Sequence, residues 1–185
     1  ETPVADANGV VVFFGATGTL AAFDTRGKGL WKVEVGAYPT MQGYGTGSSP
    51  ALHDGKVFVQ CFNDEKAFLV CIGAKSGKEV WRAQRDKPGT SWASPLVWHN
   101  EKRVEIVTSG GKLTTSYDPG SGKELWRLSG VDGPGTCSFG ADPERLYIDQ
   151  ASPMGNPPLY ALKAGGEGDL SPAGGSLEPR SQAWM

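Results

Sequence analysis

Two histidines, three cysteines and one glycine-rich loop are the places where this 185-residue chain could carry chemistry. His53 and His99 each follow a short β-rich run, beside turn residues and at nearly equivalent places in an internal repeat. That placement allows joint metal ligation across neighbouring units, but no third ligand stands at useful spacing. Solvent-facing turn positions are the expected reading, and no metal site is assigned. Cys61, Cys71 and Cys137 are too few and too spread for a disulfide scaffold or a CxxC metal site. They are expected as buried small hydrophobes. Cys61 and Cys71 flank a hairpin turn at Asp64-Glu65-Lys66, however, and in the right register they would face each other across two strands. A disulfide there would argue for an oxidising compartment.

The loop Gly43-Tyr44-Gly45-Thr46-Gly47 has the look of a phosphate cradle, which needs a strand before it and a helix N-terminus after it. Pro50 and the turn residues Asp54-Gly55 follow instead, so the segment reads as a connection between units. Asn63-Asp64-Glu65 lacks the oxygen density of a hard-cation site and reads as a solvated hairpin turn. Neither histidine stands in a segment with a recognisable nucleophile motif, and no catalytic residue is assigned.

The elements that would position these residues follow from composition and periodicity. Twenty-seven Gly and thirteen Pro, with 38% hydrophobic and 21% charged residues, leave little room for long helices and suit many short strands. Lys and Arg total 18 against 20 Asp and Glu, a net charge of −2 with no basic stripe, so nucleic acid is not an expected partner. No apolar stretch reaches the length of a membrane span.

Two phrases recur in phase. Gly77-Lys78-Glu79-Val80-Trp81-Arg82 matches Gly122-Lys123-Glu124-Leu125-Trp126-Arg127, with Gly27-Lys28-Gly29-Leu30-Trp31-Lys32 as a shorter copy. The tryptophans are 50 and 45 residues apart. Ser49-Pro50-Ala51-Leu52 and Ser94-Pro95-Leu96-Val97 keep the same step, after an earlier copy at Thr2-Pro3-Val4-Ala5. Each unit holds four short β-rich runs, the size of a propeller blade. The fold predicted is therefore all-β: a β-propeller of four-stranded antiparallel blades, about four of them, near residues 1–36, 48–85, 93–130 and 136–185. The last is degenerate, with a loop insertion at 164–182 before Trp184 resumes the pattern. A blade is apolar on both faces, as Val10-Val11-Val12-Phe13-Phe14 suggests, and one large ring per unit can dock on the neighbour where a turn glycine leaves room.

At Ala22-x-Asp24, Gly27 and Trp31, and again at Tyr117-Asp118-x-x-x-Gly122-x-x-x-Trp126, the chain resembles the Trp-docking motif of the pyrroloquinoline-quinone-like propellers. The resemblance covers nearly the whole chain; Gly73 and Lys163 stand where the motif has Asp. It implies structural roles for Trp31, Trp81, Trp126, Trp184, Asp24, Asp118, Gly77 and Gly122. Rings of this group have seven or eight blades, so about four imply a fragment of a longer chain or two copies completing a ring. The group includes quinoprotein alcohol dehydrogenases and the propeller lipoprotein of the bacterial outer-membrane assembly machine, and the likeness to the latter is the greater.

Function is expected in the loops that join one blade to the next on one ring face. Tyr38, Met41, Gln42 and Tyr44 occupy one; Arg85, Asp86, Lys87 and Trp92 occupy another. Such mixtures of aromatic and polar groups suit recognition. Gln42, Tyr44, Arg85, Asp86 and Trp92 are the candidate binding residues. The resemblance implies an exported bacterial protein, periplasmic or secreted, acting as a non-enzymatic scaffold without cofactor for a protein or small ligand. Its alternatives are an extracellular sensor domain or a quinoprotein dehydrogenase holding pyrroloquinoline quinone with Ca²⁺, whose pocket in that family uses vicinal cysteines that this chain lacks.

Overall fold

The computed structural model describes residues 1–86, 88–130, 138–148 and 160–172. Strands β1 (Val4–Asp6), β2 (Gly9–Phe14), β3 (Thr19–Phe23) and β4 (Gly29–Glu34) form an antiparallel sheet in chain order. So do β5 (Ala51–His53), β6 (Lys56–Cys61), β7 (Phe68–Gly73) and β8 (Glu79–Gln84), and then β9 (Leu96–His99), β10 (Val104–Gly110), β11 (Leu113–Tyr117) and β12 (Glu124–Ser129). A fourth sheet of β13 (Gly140–Ala141), β14 (Arg145–Ile148) and β15 (Tyr160–Lys163) has three strands among the described residues. These sheets are blades 1 to 4 of a β-propeller. No helix among the described residues is long and apolar enough to cross a membrane.

The last strand, β16 (Gly168–Asp169), lies within the stretch expected as an inserted loop. It pairs in parallel with β12, Trp126 opposite Gly168 and Arg127 opposite Asp169, and so covers the outer edge of blade 3. An edge strand offers unpaired N–H and C=O groups, and two residues of added ladder satisfy part of them. Trp184 and Cys137 lie outside the described residues.

Blade 2 shows why its middle strands read as continuous apolar runs. Val57, Val59, Cys61, Phe68, Val70 and Ile72 pack against blade 1, while Phe58, Leu69 and Cys71 pack with Ile106 and Tyr117 of blade 3. Side chains alternate across a strand, so a sheet sandwiched on both sides needs apolar residues at every position. Blade 1 has a neighbour on one side only among the described residues. Val11 and Phe13 are buried there, whereas Phe14 on the other face is 48% exposed.

The repeated phrases lie at the seams between blades. Trp31 of β4 donates its indole N–H to the Ala74 carbonyl at 2.8 Å, and its ring covers Gly77, where a Cβ would come within 2.8 Å of it. Trp81 of β8 donates to the Pro119 carbonyl at 3.2 Å and covers Gly122, where a Cβ would lie 2.6 Å from the ring. In each of the first three blades the ladder slips once just before the Trp, leaving Leu30, Val80 and Leu125 out of register. A bulge turns the strand locally. Leu30 and Val80 are accordingly about half exposed, while the Trp beside each reaches the next blade. Asp24 Oδ1 accepts the N–H groups of Arg26 and Lys28, and Asp118 Oδ1 accepts from the backbone of Gly120 and Ser121 and from the Ser121 hydroxyl. The Ser121 hydroxyl, ahead of the backbone donors, holds the Asp118 carboxyl below its ordinary range. The Ser/Thr-Pro phrase is a second seam: Thr2 N–H donates to Ser49 Oγ at 2.7 Å and Ser49 N–H to Ser94 Oγ at 2.8 Å.

The third seam is built differently. Trp126 is buried, but its N–H goes to the Glu105 carboxylate of its own blade at 2.6 Å. Glu105, also buried, accepts from Asn100, Arg103 and Ser116 as well. Arg103 then reaches blade 4 through the Gly166 carbonyl at 2.5 Å and Glu167 at 3.5 Å. A cation thus makes the crossing that the indole N–H makes at the first two seams. Trp98 adds a second crossing, donating to the Asp142 carbonyl at 2.7 Å.

Cys61 and Cys71 do not face each other. In the β6–β7 ladder Cys61 pairs with Phe68 and Cys71 with Phe58, so one thiol lies in the blade 1 interface and the other in the blade 3 interface. Both are free, and burial pushes each thiol up to about 12.

Two outcomes follow. Gly27 and Gly122 both have positive φ, but only Gly122 is covered by a ring. In urea unfolding, Gly27→Ala should lose about 1–2 kcal/mol of stability from backbone strain, and Gly122→Ala about 1–3 kcal/mol more from the clash with Trp81; equal losses would show that the ring yields freely. In a Cys137→Ser background, a chromogenic thiol reagent at pH 8 should find no reactive thiol in the folded protein and two after denaturation without reductant, since a bridge would leave none.

Candidate functional site

In an up-and-down four-stranded blade, the hairpin between the second and third strands and the exit of the fourth lie at the same end. Segments 35–50, 62–67, 85–86, 88–95 and 110–113 therefore share one face of the array. Hydrogen bonds tie them together. Asn63 organises the β6–β7 hairpin, its amide donating to the Cys61 and Lys66 carbonyls and its Oδ1 accepting from the Glu65 and Lys66 backbone. Asp64 N–H donates to the Pro39 carbonyl, and its carboxylate accepts the Thr90 hydroxyl at 2.7 Å. Thr90 Oγ1 in turn accepts the N–H of Met41 at 2.8 Å. The acidic hairpin is thus a junction between two inter-blade loops rather than a free turn.

On this frame stands an aromatic patch. Trp92 donates its indole N–H to the Gly45 carbonyl at 2.8 Å, across the seam between blades. Tyr44 lies beside it, ring centroids 6.2 Å apart, and its hydroxyl donates to Gln42 Oε1 at 2.5 Å. Tyr44 is 70% exposed and Met41 43%. Gln42 is held at φ 52°, a left-handed conformation that non-glycine residues seldom adopt. Gln42, Tyr44 and Trp92 are therefore brought together. Arg85 and Asp86 are not part of that group.

They line a separate cleft of about 620 Å³ between blades 2 and 3, whose other wall carries Leu113, Thr115, Tyr117 and Arg127. Arg85 stacks on Phe62, its guanidinium carbon 4.3 Å from the ring centroid, and donates Nη2–H to the Leu113 carbonyl at 3.1 Å. No carboxylate of the described residues lies within ion-pair distance of it, Asp86 included. Its buried Nε has no acceptor among the described residues. Burial pushes the guanidinium below its ordinary range and the nearby Tyr117 phenol above its own. Lys87 lies outside the described residues.

At the opposite end of the blades, His53 and His99 meet edge to face with centroids 4.9 Å apart. They are a contacting pair at the ends of β5 and β9 on neighbouring blades; His99 is exposed, as expected, whereas His53 is half-buried. Burial, then the neighbouring His99, lowers the His53 pKa. No three His, Cys, Asp or Glu side chains converge for a metal among the described residues. With the two described thiols on opposite faces of one blade, the described residues do not fit a quinone-and-Ca²⁺ site built on vicinal cysteines. Sequence reasoning missed Thr90, Phe62 and Trp98, and placed Tyr117 only in the Trp-docking motif. Thr90 and Phe62 carry no repeated signal, and Trp98 has no Phe, Tyr or Trp at the matching position of the unit before it.

Residues 16–155 match the family of the outer membrane protein assembly factor BamB. Among solved structures, a quinohemoprotein alcohol dehydrogenase of Pseudomonas putida HK5 superposes with a TM-score of 0.59 at 22% identity, over 80% of this chain and 27% of that one. BamB from Moraxella catarrhalis gives 0.55 at 17%, over 88% and 44%. A quinohemoprotein alcohol dehydrogenase from Comamonas testosteroni gives 0.50 at 23%, over 68% and 20%. The chain therefore spans less than half of each of these proteins, and at such identities the likeness is one of fold. No curated protein sequence matches it.

Replacing Thr90 with Val removes both of its bonds while keeping its shape. Thr90→Val should destabilise the protein by about 0.5–1.5 kcal/mol and speed amide exchange at Met41 selectively. Unchanged exchange there would mean that the loops hold without the junction.

Proposed function

The chain belongs to the family of the outer membrane protein assembly factor BamB, and from that premise we propose that it is a non-enzymatic scaffold of a bacterial envelope that recognises a protein partner through the loop face. The exposed pair Tyr44 and Met41, set on a hydrogen-bonded frame beside Trp92, is the observation that carries this reading. Aromatic side chains and Met are enriched where proteins bind one another: the aromatic rings bury a large area for few rotatable bonds, and the flexible Met thioether adapts to the partner's shape. A frame that fixes the loops before binding reduces the ordering cost of association. Periplasmic placement is part of the same proposal, resting on the family. The proposal assigns no cofactor.

The test is photo-crosslinking in the bacterium, with a benzophenone amino acid placed in the full-length protein at Tyr44 and, as a control, at Arg26 on the opposite end of blade 1. A discrete adduct with an envelope protein is expected from position 44, absent from position 26 and lost when Trp92 is also changed to Ala. Adducts of equal yield from both positions, or none from 44, would overturn the reading. Alcohol-dependent dye reduction gained on adding pyrroloquinoline quinone and Ca²⁺ would replace it with the enzymatic one.

A further inference from the structure

The cleft between blades 2 and 3 has a feature that packing alone does not require. A buried cation is costly unless a carboxylate or several acceptors compensate it. Other arginines of this chain have carboxylate partners even where they are less enclosed: Arg103 is paired with buried Glu105, and the part-exposed Arg127 is held by Glu124 at 2.5 Å and 2.9 Å. Arg85 is the contrast. Its plane is fixed by Phe62 and one carbonyl, its Nε is buried without an acceptor, and Nη1 meets none among the described residues.

We propose that this cleft binds a small organic carboxylate, with the Arg85 guanidinium as its counter-charge. The cleft's size lies within the range of small-molecule sites. A planar carboxylate matches the fork of a guanidinium, which can give it two parallel N–H bonds. The opposite wall supplies the Tyr117 hydroxyl for a further hydrogen bond and Leu113 for the ligand's apolar part. Charge selects the ligand further. Asp86, Glu124 and Asp169 line the cleft together with Lys112 and Arg127, and the three carboxylates act on Arg127. With acidic and basic side chains balanced on its walls, the cleft holds no excess of cations for a multiply charged anion such as phosphate and suits one carboxylate, or a carboxylate joined to an amine. The inference rests on reading the chain as a binding propeller, but it concerns a different surface from the aromatic patch.

The experiment is a titration of the full-length protein with benzoate, glutarate, β-alanine and inorganic phosphate, followed by calorimetry and by the Arg85 Nε–H resonance in ¹⁵N spectra. The carboxylates are expected to shift that resonance with a saturable, submillimolar to millimolar response, and Arg85→Gln to weaken binding at least tenfold. Tyr117→Phe should weaken it several-fold and keeps the test available if Arg85→Gln does not fold. Phosphate binding as tightly as the carboxylates, no saturable shift with any of them, or affinity unchanged in both variants would overturn the proposal. A response only to a peptide with a free C-terminus, lost on amidation, would overturn the small-ligand assignment too. Crosslinking at Tyr44 is unaffected by any of these results, so failure here and failure of the scaffold reading are distinguishable.

Discussion

A four-stranded blade with two apolar faces cannot stand alone in water, and the contact that resolves this is the docking of one indole on one bare glycine across each of the first two seams. Trp31 over Gly77 and Trp81 over Gly122 bring the blades to a fixed spacing, and the indole N–H satisfies a turn carbonyl that burial would otherwise leave without a partner. The positive φ at each glycine and the missing Cβ are both required, the first by the turn and the second by the ring. Truncating such a ring would remove about 3–5 kcal/mol of stabilisation, a large share of the marginal stability of a domain. Everything on the loop face inherits its geometry from this spacing.

The seam between blades 3 and 4 shows what happens when the glycine register changes. The end of β15 has Lys163 where Asp118 and Gly73 stand in blades 3 and 2, and Trp126 turns its N–H inward to Glu105. Arg103 then carries the crossing, and β16 adds itself to blade 3 rather than completing blade 4 among the described residues. The polar solution is self-consistent because each hydrogen-bonding group at Glu105 has a partner. A buried carboxylate with four donors costs little to keep, but losing one partner exposes the full desolvation penalty.

The architecture was legible because repetition amplifies weak signals. One Gly-x-x-x-Trp spacing means little, but copies in phase with a Ser-Pro phrase identify the blade, and the structure gives that second phrase a role the sequence could not: Ser49 and Ser94 link the inner strands by hydrogen bonds between neighbouring blades. The Cys61–Cys71 expectation failed for a register reason. The β6–β7 ladder brings Phe68, not Cys71, opposite Cys61, and the odd offset from Phe68 to Cys71 sends the two thiols into different interfaces. The loop residues were half legible. Tyr44, Gln42 and Trp92 meet, but Arg85 lies in another site, because composition identifies which loops are unusual and not which side chains share a wall.

That separation has a physical logic. Aromatic residues at the patch keep their polar atoms satisfied by the chain itself, Trp92 through Gly45 and Tyr44 through Gln42, so the surface offers area without unsatisfied charge. The cleft does the reverse: Arg85 is stacked and oriented, but its charge is left without a counter-ion of the described residues. An apolar platform is suited to a large partner that brings its own complementary surface, since affinity there comes from excluded water. An oriented cation in a confined cleft is suited to a small anion, since it gains most from a low-dielectric partner and little from area. One face of the propeller thus presents two surfaces of contrasting chemistry, each adjacent to a seam, because only at a seam do loops of different blades come close enough to build a surface that neither blade holds alone.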